Sequence, residues 1–361
     1  MKRNTILFLI ILSLFVSCTT VEKSGRTMNV LVPETNYGGL EIINEQDYAK
    51  EMDTIVLPYL ESKRHYNVIY SKEDNHRIYY EYFDNENEKG TIVILHGFSE
   101  FVNKYNEVAY YFLKQNYDVY LIEHFGHGFS ERNIEEDLSK VDVEDFSVYT
   151  TDLNQLMEEV VIPLQGKDNL FMFAHSMGGG IGTRYLELYP EVFKAAILSS
   201  PMNEINLGWP PEWLAKFISG SAIIFNSGTN YAMGQSSFNS EEEFTPYAAS
   251  SSQARYSYYF NKRVENEYYQ TYGATYNWIN SAIKATRDMV RDAEKIQIPV
   301  LLFQAENDYL VKANGQLEIA SLAKDVNVVF VPGSNHEIFN SSNDIVKPYF
   351  ATIFTFLDKV N

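Results

Sequence analysis

The chain has 361 residues and 45% hydrophobic content, enough for one large α/β domain with an insertion or for two domains. Its formal net charge of −19 argues against nucleic acid and against simple electrostatic attachment to an anionic membrane. The single cysteine, Cys18, excludes an intrachain disulfide and a zinc–thiolate cluster.

Residues 1–18 read as a lipoprotein signal peptide. Lys2 and Arg3 form a basic start, and Thr5 to Val16 form an apolar stretch too short to span a bilayer comfortably. LFVSC then resembles a bacterial lipobox, with Phe15 where leucine is usual and Cys18 as the expected lipidation site. The expectation is an extracytoplasmic, membrane-anchored bacterial lipoprotein, or a secreted protein if Cys18 is not lipidated. Residues 19–40 are polar and aperiodic, as a tether would be. From Glu45 to Lys63 apolar residues recur at helical spacing, and Pro58 marks a kink or an end. Tyr66 to Tyr70 and Arg77 to Phe83 form a candidate antiparallel hairpin at a sheet edge.

Alternation of strand and helix follows. Strands are expected at Thr91–Leu95, Asp118–Ile122, Leu170–Ala174 and Ala195–Leu198. Helices are expected at Val102–Gln115, Val143–Val161 (ended by Pro163) and from the glycines after Ser176 to Tyr189. After Pro201 the alternation stops and the chain becomes rich in Tyr, Ser, Asn and Trp. It resumes with strands at Pro299–Gln304 and Val326–Val331 and helices at Val311–Ala323 and Ile345–Leu357. This pattern predicts a mostly parallel sheet covered by helices on both faces. Residues 41–200 and 292–361 form the expected core, and 201–291 a mainly helical cap.

AHSMG, residues 174–178, places Ser176 between a strand and a helix with small residues at minus two and plus two. That is the nucleophile-elbow pattern, with Ala174 standing where glycine is usual. A serine nucleophile needs a base, an acid to orient the base, and donors for the oxyanion. Downstream of Ser176 there is one histidine, His336. Asp308 follows an expected strand and is the favoured acid, with Glu306 its nearest rival and Asp325 and Asp344 poorer ones. Backbone N–H groups of Met177 and Phe98 are the expected oxyanion donors. His96, His124, His127 and His175 have no supporting metal-ligand spacing and read as loop-shaping residues, so no metal and no cofactor is expected. In the cap, Trp209, Trp213, Leu214, Phe217 and Ile218 recur at helical spacing, as either a lid or packed core. The tyrosines near 256–260 could line a pocket or simply pack.

Four motifs together resemble the lysophospholipase and monoacylglycerol-lipase branch of the α/β-hydrolases, the group that also contains serine aminopeptidases. HGFSE at 96–100 is similar to H-G-x-G-E, with Ser99 for the second glycine. EHFGHGFS at 123–130 is similar to D-H-x-G-H-G-x-S, with Glu123 for aspartate. AHSMGG is similar to G-H-S-M-G-G, and NDYLV and NHEIF resemble the acid and base segments. The resemblance implies an α/β-hydrolase fold and attack by Ser176 on an ester carbonyl, with an acyl-enzyme released by water activated through His336. It points to a lipid ester as substrate, with the membrane as partner through the N-terminal anchor. An aminopeptidase of the same fold and a non-catalytic surface lipoprotein are the alternatives.

Overall fold

The computed structural model describes residues 28–241, 243–245 and 248–361. The expected signal peptide with Cys18, and residues 19–27 of the expected tether, lie outside the described residues. The tether is nevertheless shorter than 19–40. Strand β1 (Asn29–Val30) pairs in parallel with Val329 and Phe330 of the last strand. Leu31 is buried, and the Tyr37 hydroxyl donates to Asp358 at 2.6 Å. Polar composition alone concealed this docking, because only a few apolar side chains carry it.

The first helical run comprises a 3₁₀ turn (Glu45–Asp47), α1 (Tyr48–Glu51), a π turn (Met52–Val56) and α2 (Leu57–Glu61). The hairpin follows as β2 (Arg64–Tyr70) and β3 (Arg77–Phe83). Next come β4 (Thr91–Leu95), a 3₁₀ turn (Val102–Tyr105), α3 (Asn106–Lys114), β5 (Asp118–Ile122) and the short β6 (Lys140–Val141). A second long helical run is α4 (Ser147–Leu156), a π turn (Met157–Val161) and α5 (Ile162–Gln165). Both runs meet a proline without ending. In each, a π turn closed by an i→i−5 bond to a methionine carbonyl (Met52 or Met157) stands just before Pro58 or Pro163. The wider turn re-registers the ladder, so the missing proline N–H and the ring are accommodated. Pro163 therefore does not stop the helix; Gly166, at φ +77°, does.

A tight turn joins β7 (Leu170–His175) to α6 (Ser176–Leu188), and β8 (Ala195–Ser199) follows. The cap region holds α7 (Glu212–Ile224), α8 (Gln253–Glu265), β9 (Gly273–Ala274) and α9 (Tyr276–Asp292). The core closes with β10 (Pro299–Asn307), α10 (Ala313–Leu322), β11 (Asp325–Asn335) and α11 (Asn343–Val360). Among the described residues the main sheet has nine strands in the order β1-β11-β10-β8-β7-β4-β5-β3-β2. Its pairs are parallel except β5-β3 and β3-β2.

Side-chain alternation along β7 explains why the central strands are apolar throughout. Phe171 and Phe173 join one core layer with Phe112, Phe350 and Phe354, while Met172 and Ala174 face the other with Ile181 and Tyr185. A strand covered on both faces has no polar side to show.

Two features of the 201–291 insertion differ from expectation. It contains strand β9, which pairs in parallel with β6 and ties the cap to a core loop. Helix α9 packs Ala282, Ala285 and Met289 into the same core layer as Ile181 and Tyr185, so that helix belongs to the core. Its small buried residues allow a close approach to α6 that composition could not reveal.

Candidate active site

Ser176 is the first residue of α6, with φ +53° and 8% exposure. A left-handed serine costs on the order of 1–3 kcal/mol, so the surrounding packing must impose it. The turn is tight: a Cβ on Gly178 would lie 2.3 Å from the Leu95 carbonyl oxygen. The methyl of Ala174 is tolerated because it packs where Gly182 has no side chain; a Cβ there would stand 3.3 Å from it.

At the carboxyl edge of the sheet, β10 and β11 deliver Asp308 and His336 to each other. The His336 Nδ1–H donates to Asp308 Oδ2 at 2.7 Å, and Asp308 Oδ1 accepts the N–H groups of Leu310 and Val311, both at 3.0 Å. Burial pushes the Asp308 carboxyl up, but the imidazole and the two N–H donors outweigh it and hold the group below its usual range. An ionised Asp308 accepts only, so a ring proton sits on Nδ1, and in the neutral tautomer this selects, Nε2 carries the lone pair. That Nε2 is buried without a partner among the described residues, and His336 borders the same cavity as Ser176. The rival acids are elsewhere: Glu306 accepts the Gly333 N–H, Asp325 is exposed at the start of β11, and Asp344 lies in the first turn of α11.

Across the cavity stands the loop after β4. Among the described residues no acceptor takes the Phe98 N–H, and Phe98 lines the cavity. Met177 lies in the first turn of α6, where helix N–H groups lack intrahelical partners and favour negative charge. The loop is braced by Glu100, which accepts from the Gly97 N–H and the Tyr105 hydroxyl, both at 2.5 Å.

Similarity to known proteins identifies the family. The sequence profile described as serine aminopeptidase, S33 matches residues 86–343. The chain belongs to this α/β-hydrolase family. It is 26% identical to the probable lysophospholipase L2 of Haemophilus influenzae over 268 residues, 74% of this chain and 83% of that protein. It is 29% identical to the lysophospholipase L2 of Escherichia coli over 220 residues, 61% of this chain and 64% of that one. Among solved structures, a soluble variant of Saccharomyces cerevisiae monoglyceride lipase with a substrate analogue superposes with TM-score 0.65 at 17% identity, covering 82% of this chain and 95% of that one.

The cavity of this hydrolase measures about 620 Å³. Its lining mixes apolar side chains, among them Phe98, Met202, Ile205, Ile218 and Trp278, with polar ones such as Glu100, Lys104, Tyr256, Arg263 and Glu337. Sequence reading passed over Lys104 and Glu337. The Lys104 ammonium donates to Glu100 at 2.7 Å and to Glu337 at 2.6 Å, bridging the loop after β4 to the residue after His336. The signal was present in the motifs themselves, since Glu100 ends HGFSE and Glu337 follows the base. Burial opposes the Lys104 charge, yet the two carboxylates outweigh it and raise its pKa.

The α7 segment does not behave as one packed face. Ala215 and Ile218 line the cavity, while Trp213 and Phe217 are each 68% exposed and Ile224 77%. Neighbouring Trp209 and Phe225 are also largely exposed. The tyrosine-rich helix α8 divides likewise: Tyr256 and Phe260 line the cavity, and Tyr258 packs edge-on against Tyr48.

Proposed function

We propose that the protein is a serine hydrolase of lipid carboxylic esters, a lysophospholipase or monoacylglycerol lipase. The observation that carries this reading is His336, hydrogen bonded to Asp308 through Nδ1, with a buried Nε2 that has no partner among the described residues, lining the same cavity as Ser176. His336 Nε2 takes the Ser176 hydroxyl proton as Oγ attacks the ester carbonyl. The tetrahedral oxyanion is held by the Phe98 and Met177 N–H groups. Collapse expels the alcohol, protonated by His336, and leaves an acyl group on Ser176. Water, deprotonated by the same imidazole, then releases the fatty acid. Asp308 stays ionised and holds the tautomer.

A lipid substrate is supported by two further features. Apolar side chains, among them Phe98, Met202, Ile205, Ile218 and Trp278, line much of the cavity, and α7, which contributes Ala215 and Ile218 to that lining, exposes Trp213, Phe217 and Ile224 on its other face. Such a face suits contact with an aggregated lipid surface. In our reading, lipidated Cys18 keeps the enzyme on the extracytoplasmic side of a bacterial membrane beside that substrate.

Labelling with a fluorophosphonate probe tests the nucleophile: the native chain reacts and Ser176→Ala does not. The same substitution lowers ester turnover by about 10⁶-fold. A panel of lysophosphatidylcholine, monoolein, p-nitrophenyl esters and aminoacyl amides tests the substrate class. Preference for an aminoacyl amide over every ester would replace this reading with a peptidase.

A further inference from the structure

Two buried histidines outside the proposed proton relay have hydrogen bonds that define their protonation. His96 Nδ1 donates to the Gly97 carbonyl at 2.8 Å, and its Nε2 accepts the His124 N–H at 3.1 Å. His127 Nδ1 donates to the Phe125 carbonyl at 3.2 Å, and its Nε2 accepts the Ser99 N–H at 3.2 Å. A carbonyl oxygen can only accept and a backbone N–H can only donate, so each ring must be neutral, with its proton on Nδ1. Both are fully buried, and burial holds both well below the ordinary histidine range.

The Ser99 partner is the informative one. Ser99 sits at φ +56°, a conformation that glycine adopts freely and serine does not. It directly follows Phe98, whose N–H is the proposed oxyanion donor, and the Phe98 ring meets the His127 ring edge-on at 5.8 Å. A serine in this place therefore needs an external restraint, and the His127 lone pair supplies one.

We propose that His127 is a positioning residue for the oxyanion loop: its Nε2 holds the Ser99 N–H, keeps Ser99 left-handed, and so keeps the Phe98 N–H aimed at the carbonyl on Ser176. This inference rests on the proposed hydrolase reading, and the two fail separately. If Ser176 of the native chain does not react with a fluorophosphonate, the hydrolase reading fails, whatever the state of His127.

Two replacements divide the ring's functions. His127→Gln places an amide oxygen near the former Nε2 and retains activity within about fivefold. His127→Asn keeps a donor near the former Nδ1 but is too short for Ser99, and kcat falls by about 10²-fold, the size expected for a lost oxyanion donor, with KM within threefold. Adding Ser99→Gly to His127→Asn recovers at least tenfold, because glycine adopts the positive φ without strain. Equal activity of the Gln and Asn variants, a loss confined to KM, or no recovery with Ser99→Gly overturns the proposal. A spectroscopic measurement on the unaltered protein decides the matter if the Asn variant does not fold. In ¹⁵N-histidine NMR, His127 is expected with its proton on Nδ1 and an accepting Nε2; a proton on Nε2 overturns the proposal.

Discussion

Helices α7 and α8 both fall in the cap segment, yet they are held in opposite ways. Helix α8 is fastened to the core by a buried ion pair: Arg255 Nη2 and Nε donate to Glu107 at 2.7 and 2.9 Å, and Nη1 donates to the Ser341 carbonyl. Glu107 also accepts from the hydroxyls of Tyr48 and Tyr111. The N-terminal run adds a Tyr258 hydroxyl bond to Asp53 and a Ser252 hydroxyl bond to Glu45. Helix α7, by contrast, has a surface bridge from Arg287 to Glu212 and turns large apolar side chains to solvent. The two cap helices are therefore held differently: α8 is a fixed wall beside the His336 loop, and α7 a thin cover that shows apolar side chains to solvent.

The largest effect should come from the wall. Arg255→Met leaves Glu107 buried without its cation and should cost about 3–5 kcal/mol of stability in urea titration. Arg255→Met combined with Glu107→Leu should cost less than the single change, because no orphaned charge remains. An equal or greater loss in the double variant would show that shape, not charge, fastens α8.

The cover should respond in activity. Trp213→Ser with Phe217→Ser should leave stability within about 0.5 kcal/mol, since exposed positions contribute little to folding. Hydrolysis of monoolein on vesicles should drop by about tenfold while a soluble p-nitrophenyl ester is turned over at the native rate. A parallel drop on both substrates would show that Trp213 and Phe217 act on the pocket itself and not as a lipid-contacting surface.

The smallest effect belongs to a site away from both helices. The His76 ring lies between Asp152, at 2.9 Å, and Asp74, at 2.5 Å. Burial lowers its pKa, but the two carboxylates outweigh burial and raise it above the usual 6.5. A raised pKa in the folded state means this contribution is complete below 6.5 and is lost as pH rises through the higher folded value. Thermal midpoints should decline modestly over that window, and Asp152→Asn should flatten the decline. An unchanged slope in Asp152→Asn would place the pH dependence elsewhere.

Much of the candidate site was legible because the proposed elbow, acid and base each lie in a short segment whose local pattern is set by a strand end. Ser176, Asp308 and His336 could be named in this way, as could Phe98 in the loop after the first core strand. The continuous apolar runs disclosed the parallel sheet, since strands buried on both faces carry no alternation. The ends of elements were less legible: Pro163 looked terminal because a π turn leaves no composition signal.

Sequence by itself thus determined the fold class and the chemical types at the sheet's carboxyl edge, because these are written in neighbouring residues. Tertiary structure alone decided that Asn29 and Val30 join the sheet, that α9 belongs to the core, that Arg255 meets Glu107, and that His127 meets Ser99. Each of those contacts joins segments 28 to about 300 residues apart, and each depends on a backbone path or a buried partner that no local pattern encodes.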